Sequence, residues 1–230
     1  MLGLGDLNLT YLVSITFVSL YVSTLAVLFS AAIGLPTALA VGFRDFRGKS
    51  IVTSVISTGM GFPSVVVGLV VLLLLSRSGP FGEFELLFTP EAMILSQTVL
   101  ALPVLVSVSL SAIQSVPQDL RDAAFATGAT PADVGLLVIR EARYGIVTAL
   151  LAAYGRAISE VGSVLIVGGN IVFSDSTSFT RTLTTAITVE ARKGNIETGI
   201  ALGVILLALV LSVNALGARF RDRTPGGERQ

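Results

Sequence analysis

Five long apolar runs set the first constraint on this chain. They cover residues 9–43, 50–76, 92–116, 144–167 and 196–218. A helix rises about 1.5 Å per residue and the hydrocarbon core of a bilayer is about 30 Å thick, so about 20 residues suffice for one crossing. Each run reaches that length. Only 13% of the 230 residues are charged, about half the share found in soluble domains. The expected fold class is therefore an all-α integral membrane protein, with residues 1–230 forming one transmembrane domain of five helices. The first run exceeds one crossing and is expected to tilt, to begin at the interface, or to bend near Pro36. Pro63 and Pro103 fall inside the second and third runs, which is tolerated where neighbouring helices satisfy the freed carbonyls. The opening MLGLGDLNLT has no Lys or Arg, and the run after it far exceeds a signal peptide's apolar core, so it is expected to be retained.

Five crossings place the chain ends on opposite sides. The C-terminal side holds ten basic residues: Arg44, Arg47, Lys49, Arg121, Arg140, Arg143, Arg219, Arg221, Arg223 and Arg229. The other side holds four, Arg77, Arg181, Arg192 and Lys193. By the positive-inside rule the C-terminus is cytoplasmic and the N-terminus lies outside, in a multi-pass protein of the plasma or inner membrane. The remaining basic residue, Arg156, sits within the fourth run.

Several function classes drop out early. The chain has no Cys and no His, which excludes thiol chemistry, Cys/His zinc sites and imidazole acid–base catalysis. No metal site is expected. The nearest approach to a phosphate loop is Arg47-Gly48-Lys49-Ser50 with Gly42 upstream. Five residues separate these glycines where four are needed, and the segment follows a membrane helix. Basic anchoring at the cytoplasmic face is the plain reading.

Two connecting segments are unusual. The cytoplasmic one, 114–143, reads as two short helices. Pro117-Gln118-Asp119 opens the first and Gly128 closes it; Thr130 caps the second, with Pro131 at its first position and Asp133 in its first turn. The outer one, 168–193, is rich in Ser and Thr and too polar for lipid, so it is either a solvated linker or an amphipathic segment with a role.

The first connector contains DAAFATG, Asp122 to Gly128. An Ala-rich helix face is shallow enough to lie in a partner's groove, and the glycine permits a sharp turn. Alone, that spacing is common and reads as packing. Between the third and fourth of five spans, however, DAAFATGATPADVGLLVIREAR resembles the coupling segment of the membrane subunits of ATP-binding-cassette importers, whose pattern is Glu-Ala-Ala, three residues, Gly, then Ile-x-Leu-Pro. Ile139 is kept, but Asp122 stands where Glu is usual and Arg140-Glu141-Ala142 where Leu-Pro is usual. The likeness continues through GRAISEVGSVLIVGGNI and TRTLTTAITVEARKGNIETGIALG. It is closest to the permeases of oxyanion importers, in particular the tungstate branch beside the molybdate and sulfate ones. The resemblance implies a type I importer permease fold and a homodimer. Asp122, Ala123, Ala124 and Gly128 would couple to two copies of a cytoplasmic ATPase. An external binding protein would deliver the anion. No cofactor belongs to the chain itself, ATP and Mg being bound by the ATPase.

Arg156 and Glu160 need a reason to be in the fourth run, since one charge at mid-bilayer costs about 3 kcal/mol even on a lenient scale. On a continuous helix, positions i and i+4 share a face and the two can pair. Ser159 and Gly162 beside them are small. Three readings stay open. The group is a lock between helices; or it is part of the translocation pathway, with Arg156 as a transient counter-charge and Glu160 preventing the anion from sticking; or it is a proton relay. In the outer segment Thr180, Arg181, Thr182, Thr184 and Thr185 set hydroxyls around one cation, which suits an oxyanion. With Asn170 in GGNI, the residues Thr180, Arg181 and Thr182 are expected to form an outer gate or a docking face for the binding protein. Gly199 and Gly203 in GIALG read as close helix packing, at the subunit interface or within the chain. The rival of another class is an ion-coupled carrier, which would require internal repeats with matching helix interruptions; none is visible. A membrane enzyme lacks the side chains to work with.

Overall fold

A backbone in hydrocarbon must satisfy its N–H and C=O groups within its own segment, and helices do so. The computed structural model describes residues 9–43, 46–173 and 177–222, and ten α-helices carry nearly all of them. Three helices can cross a membrane alone: α1 (Leu9–Phe43), α4 (Pro90–Gln114) and α10 (Ile196–Asp222). Two helix pairs are long and apolar enough together to cross as well, and each is bent at a short break. α2 (Lys49–Gly59) and α3 (Ser64–Leu75) meet at 97°, and α7 (Arg143–Ile158) and α8 (Gly162–Gly168) meet at 59°. The five expected runs are thus present, but the second and fourth are not continuous. Arg44, the three outer-loop residues 174–176 and the arginines beyond 222 lie outside the described residues.

α1 and α4 run side by side. Ser19, Ser23, Ala26, Ser30, Gly34, Ala38 and Gly42 recur every three or four residues along α1, all buried. Small residues at that spacing let two helices approach closely where no hydrophobic effect drives them together. Ser30 Oγ donates to the Thr98 carbonyl at 3.2 Å, and Thr98 Oγ1 lies 3.4 Å from the Ala26 carbonyl. Apolar side chains fill the layers between: Val22 and Ala26 with Met93 and Leu100 near one end, Ala38 and Val41 with Leu110 and Ile113 near the other. α7 packs on the same α4 surface through Ala153 and Ala157.

Short helices close the ends. α5 (Gln118–Ala126) and α6 (Pro131–Glu141) form the 114–143 connector. α9 (Leu183–Arg192) lies at the opposite end beside α10, preceded by one antiparallel bridge between Val172 and Ser178. Gly199 is buried against α9, its nearest neighbours being the Ile187 carbonyl and the Ala191 nitrogen, whereas nothing approaches Gly203. Half of the GIALG motif therefore serves packing within the chain.

Candidate functional site: a coupling helix and two broken spans

The connector folds as its local signals dictate. Thr130 Oγ1 accepts the Asp133 N–H and the Asp133 carboxylate accepts the Thr130 N–H, a complete capping box that starts α6 with Pro131 in its first turn. The Thr130 hydroxyl, donating to the Asp133 carboxylate at 2.6 Å, and then the Thr130 N–H hold that carboxyl below its ordinary range. α5 ends in a Schellman motif: the Ala129 N–H reaches the Ala124 carbonyl and the Gly128 N–H the Phe125 carbonyl. Gly128 has φ +87°, where a Cβ is disfavoured, yet open space surrounds it.

α6 is anchored by buried side chains and α5 is not. Val134 and Val138 are buried, with Val138 in the layer shared by Ala38 and Ile113. α5 buries no residue at all. Asp122 and Ala123 are exposed and Ala124 is half-buried, beside exposed Leu120 and Phe125. Arg121 tethers the helix, donating to the Ile113 carbonyl and lying 5.3 Å over the Phe43 ring. The exposed Phe125 and the Arg121 tether were missed in the sequence. Phe125 sits inside DAAFATG, but only the tertiary structure leaves its ring uncovered.

In mid-span the structure corrects one expectation. Arg156 and Glu160 do not pair, because they stand on opposite sides of the break. The last turn of α7 closes as Ser159 Oγ donates to the Gly155 carbonyl at 2.7 Å. Glu160 then caps the next helix: its Oε1 accepts the Ser163 N–H at 3.1 Å. Its backbone carbonyl, freed by the break, accepts from Thr184 Oγ1 at 2.8 Å. Glu160 is 6% exposed. Arg156, half-buried, reaches the other way and donates from Nη2 to the Phe62 carbonyl at 3.4 Å. Phe62 is in the break between α2 and α3, and since the Val66 and Val67 N–H groups both go to the Pro63 carbonyl, the Phe62 carbonyl has no helical partner. Each charged residue therefore serves a broken backbone.

The two breaks lie against each other. A Cβ placed on Gly68 would be 2.7 Å from Ser163 Cα, and one on Gly162 would be 2.9 Å from Val65 Cγ2 and 3.0 Å from Ser64 Oγ. Only glycines allow α3 and α8 this approach. An open groove of about 510 Å³ runs along α7 from Val147 to Gly155, walled by Asn214 and Gly217 of α10. The exposed side of α2 carries Ser50, Ser54, Ser57 and Thr58, a hydroxyl face inside an apolar run that the sequence reading passed over.

The outer residues come together, although they face inward. Arg181 donates from Nε to Asn170 Oδ1 at 3.0 Å and from Nη1 to the Tyr11 hydroxyl at 3.3 Å. Thr180 is buried and accepts the Ile171 N–H at 2.8 Å. Thr182, also buried, caps α9 in a box with Thr185. Leu183 donates its N–H to Ser19 Oγ at 2.8 Å. These groups shape the loop and tie it to α1; they do not form an open ring of hydroxyls. At the far end of α9, Asn195 first and then Lys193 hydrogen-bond the Glu190 carboxylate and hold its pKa below the usual carboxylate range.

Long apolar helices, two bent helix pairs and an uncovered helix on one end are the features of a multi-pass membrane protein. The comparisons make the class specific. Residues 32–224 match the family described as the inner membrane component of binding-protein-dependent transport systems, and the chain belongs to that family. It is 89% identical over 226 residues to the probable anion ABC transporter permease protein of Haloferax volcanii, covering 98% of this chain and 97% of that one. It is 37% identical over 203 residues to a tungstate uptake system permease protein of Peptoclostridium acidaminophilum, covering 88% and 87%. Among solved structures, a bacterial ABC transporter that imports the acidic polysaccharide alginate shares the fold, with TM-score 0.71 at 20% identity over 94% of this chain and 82% of that one.

Proposed function

We propose that this chain is the membrane-spanning permease of an ATP-driven oxyanion importer, with tungstate as its cargo. The observation that carries the cargo assignment is the 37% identity to a tungstate permease across nearly the whole of both chains. The geometry is compatible with an anion. Arg156 brings a guanidinium to the break between α2 and α3, and its Nε has no hydrogen-bond partner. Broken helices near the bilayer midplane are where transporters place their substrates. Arg156 then acts both as lock and as transient counter-charge, with Ser159 exposed beside it, Gly162 allowing the close crossing, and Glu160 opposing tight retention.

The working unit is a homodimer, since one set of five spans carries a single coupling helix. The hydroxyl face of α2 suits a hydrated path completed by the second copy better than it suits lipid. The asymmetry of basic residues supports an outer N-terminus, with α5, α6 and the C-terminus in the cytoplasm. Two ATPase copies, which hold ATP and Mg, receive the α5 face of Asp122, Ala123, Ala124 and Phe125. The binding protein docks on the outer loop whose form Asn170, Thr180, Arg181 and Thr182 maintain.

The test is uptake into vesicles containing the permease, its ATPase and its binding protein, with ATP inside and tungstate, molybdate or sulfate outside. ATP-dependent accumulation of tungstate ahead of sulfate is expected. Preference for molybdate or sulfate moves the cargo, and accumulation driven by a proton gradient without ATP overturns the importer. In the same vesicles Arg156→Gln is expected to lower uptake by about tenfold or more, the scale of one charged hydrogen bond, with assembly retained. Wild-type uptake by this variant would remove Arg156 from the mechanism.

A further inference from the structure

α9 and the break in the fourth span are joined by one buried hydrogen bond, and we infer that Thr184 is the positioning residue that conveys docking at the outer loop to the α7–α8 break. The inference rests on the importer reading and adds a residue and a route to it. Breaking a span leaves carbonyls that lipid cannot satisfy. At this break the Glu160 carbonyl is satisfied from 24 residues away, by Thr184 Oγ1 at 2.8 Å. Thr184 is itself 6% exposed and lies in the first turn of α9. Thr182 Oγ1 is 2.9 Å from Thr184 Oγ1 and, since the Thr184 proton is committed to Glu160, Thr182 is the donor there. The N-cap of α9 is thereby linked to the break. The same Glu160 caps α8 through its carboxylate. One turn back along α7, Arg156 holds the carbonyl of the second break. A shift of α9 pulls on Glu160, and Glu160 moves both the start of α8 and the end of α7, which continues through Ala142 into α6 beside the coupling helix.

A buried acceptor stripped of its donor costs its full desolvation, so Thr184→Val, close in shape but without the hydroxyl, breaks the link with little change in packing. In the reconstituted permease–ATPase complex, the ratio of ATPase rates with and without tungstate-loaded binding protein is expected to fall at least about fivefold in Thr184→Val. Thr184→Ser keeps the ratio, and so does Thr188→Val one turn further along α9. A full ratio in Thr184→Val overturns the link, and so does a loss shared equally by Thr188→Val. Wild-type protein supplies a second reading should the valine variant fail to assemble. On docking of the binding protein, amide hydrogen exchange at residues 159–163 is expected to change together with that of α9. Exchange altered in α9 but unchanged at 159–163 overturns the link. A wild-type complex that its binding protein does not stimulate overturns the importer reading itself.

Discussion

Gly128→Val is expected to reduce ATP-driven uptake by about tenfold or more while the permease still inserts and assembles. Gly128 adopts φ +87° as the turn residue between α5 and α6. A side chain there costs about 1–2 kcal/mol, and a β-branched one more than most. Nothing lies within 4 Å of the position a Cβ would take, so the effect is one of backbone conformation, not of collision. α5 buries no residue that could hold it in place against that strain. The helix is therefore expected to reorient, carrying Asp122, Ala123 and Phe125 away from the ATPase. Gly128→Asn, which tolerates the left-handed conformation, should retain most of the uptake. Equal loss in Asn and Val variants would mean that the side chain itself obstructs docking, and normal uptake in both would remove α5 from coupling.

Gly68→Leu is expected to act on stability. Its Cβ would stand 2.7 Å from the Cα of Ser163, which is backbone and cannot rotate aside. α3 must separate from α8, and the layer that includes Val67, Val71, Val164 and Val167 opens with it. Overpacking of this kind costs about 1–3 kcal/mol, which in a domain of this length lowers the unfolding midpoint by about 2–12 °C. The measurement is thermal unfolding of the detergent-solubilised complex followed by size exclusion. An unchanged midpoint would mean that the two breaks are not held together by this contact. Gly162 supports the same crossing but meets the Val65 methyl and the Ser64 hydroxyl, both side-chain atoms, so Gly162→Ala should be milder than Gly68→Ala.

How much of this was legible beforehand differs from residue to residue. The cap of α6 was, because Thr130, Pro131 and Asp133 act on one another across three positions, and the close of α5 at Gly128 is equally local. The face of α1 toward α4 is written in the spacing of its small residues, although the partner is not. The relation of Arg156 to Glu160 was not legible. Four residues apart in a run of sufficient hydropathy, they look like a pair on one helix. A hydropathy window some twenty residues long averages over a three-residue break, and nothing adjacent in the chain marks 159–161 as one. The hydroxyls of Thr180 and Thr182 likewise read as available to a ligand, while the fold turns them inward as caps and acceptors.

Length, composition and local hydrogen bonding are enough to set the solvent this protein lives in, the five apolar runs, the two capped helices of the connector and the family likeness. What the polar residues in the spans do depends on packing between segments far apart in the chain. Phe62 receives Arg156 from 94 residues away and Glu160 receives Thr184 from 24 residues away. A carbonyl freed at a break takes whichever donor the packed bundle brings within about 3 Å. That choice belongs to the bundle, and no stretch of sequence around the break contains it.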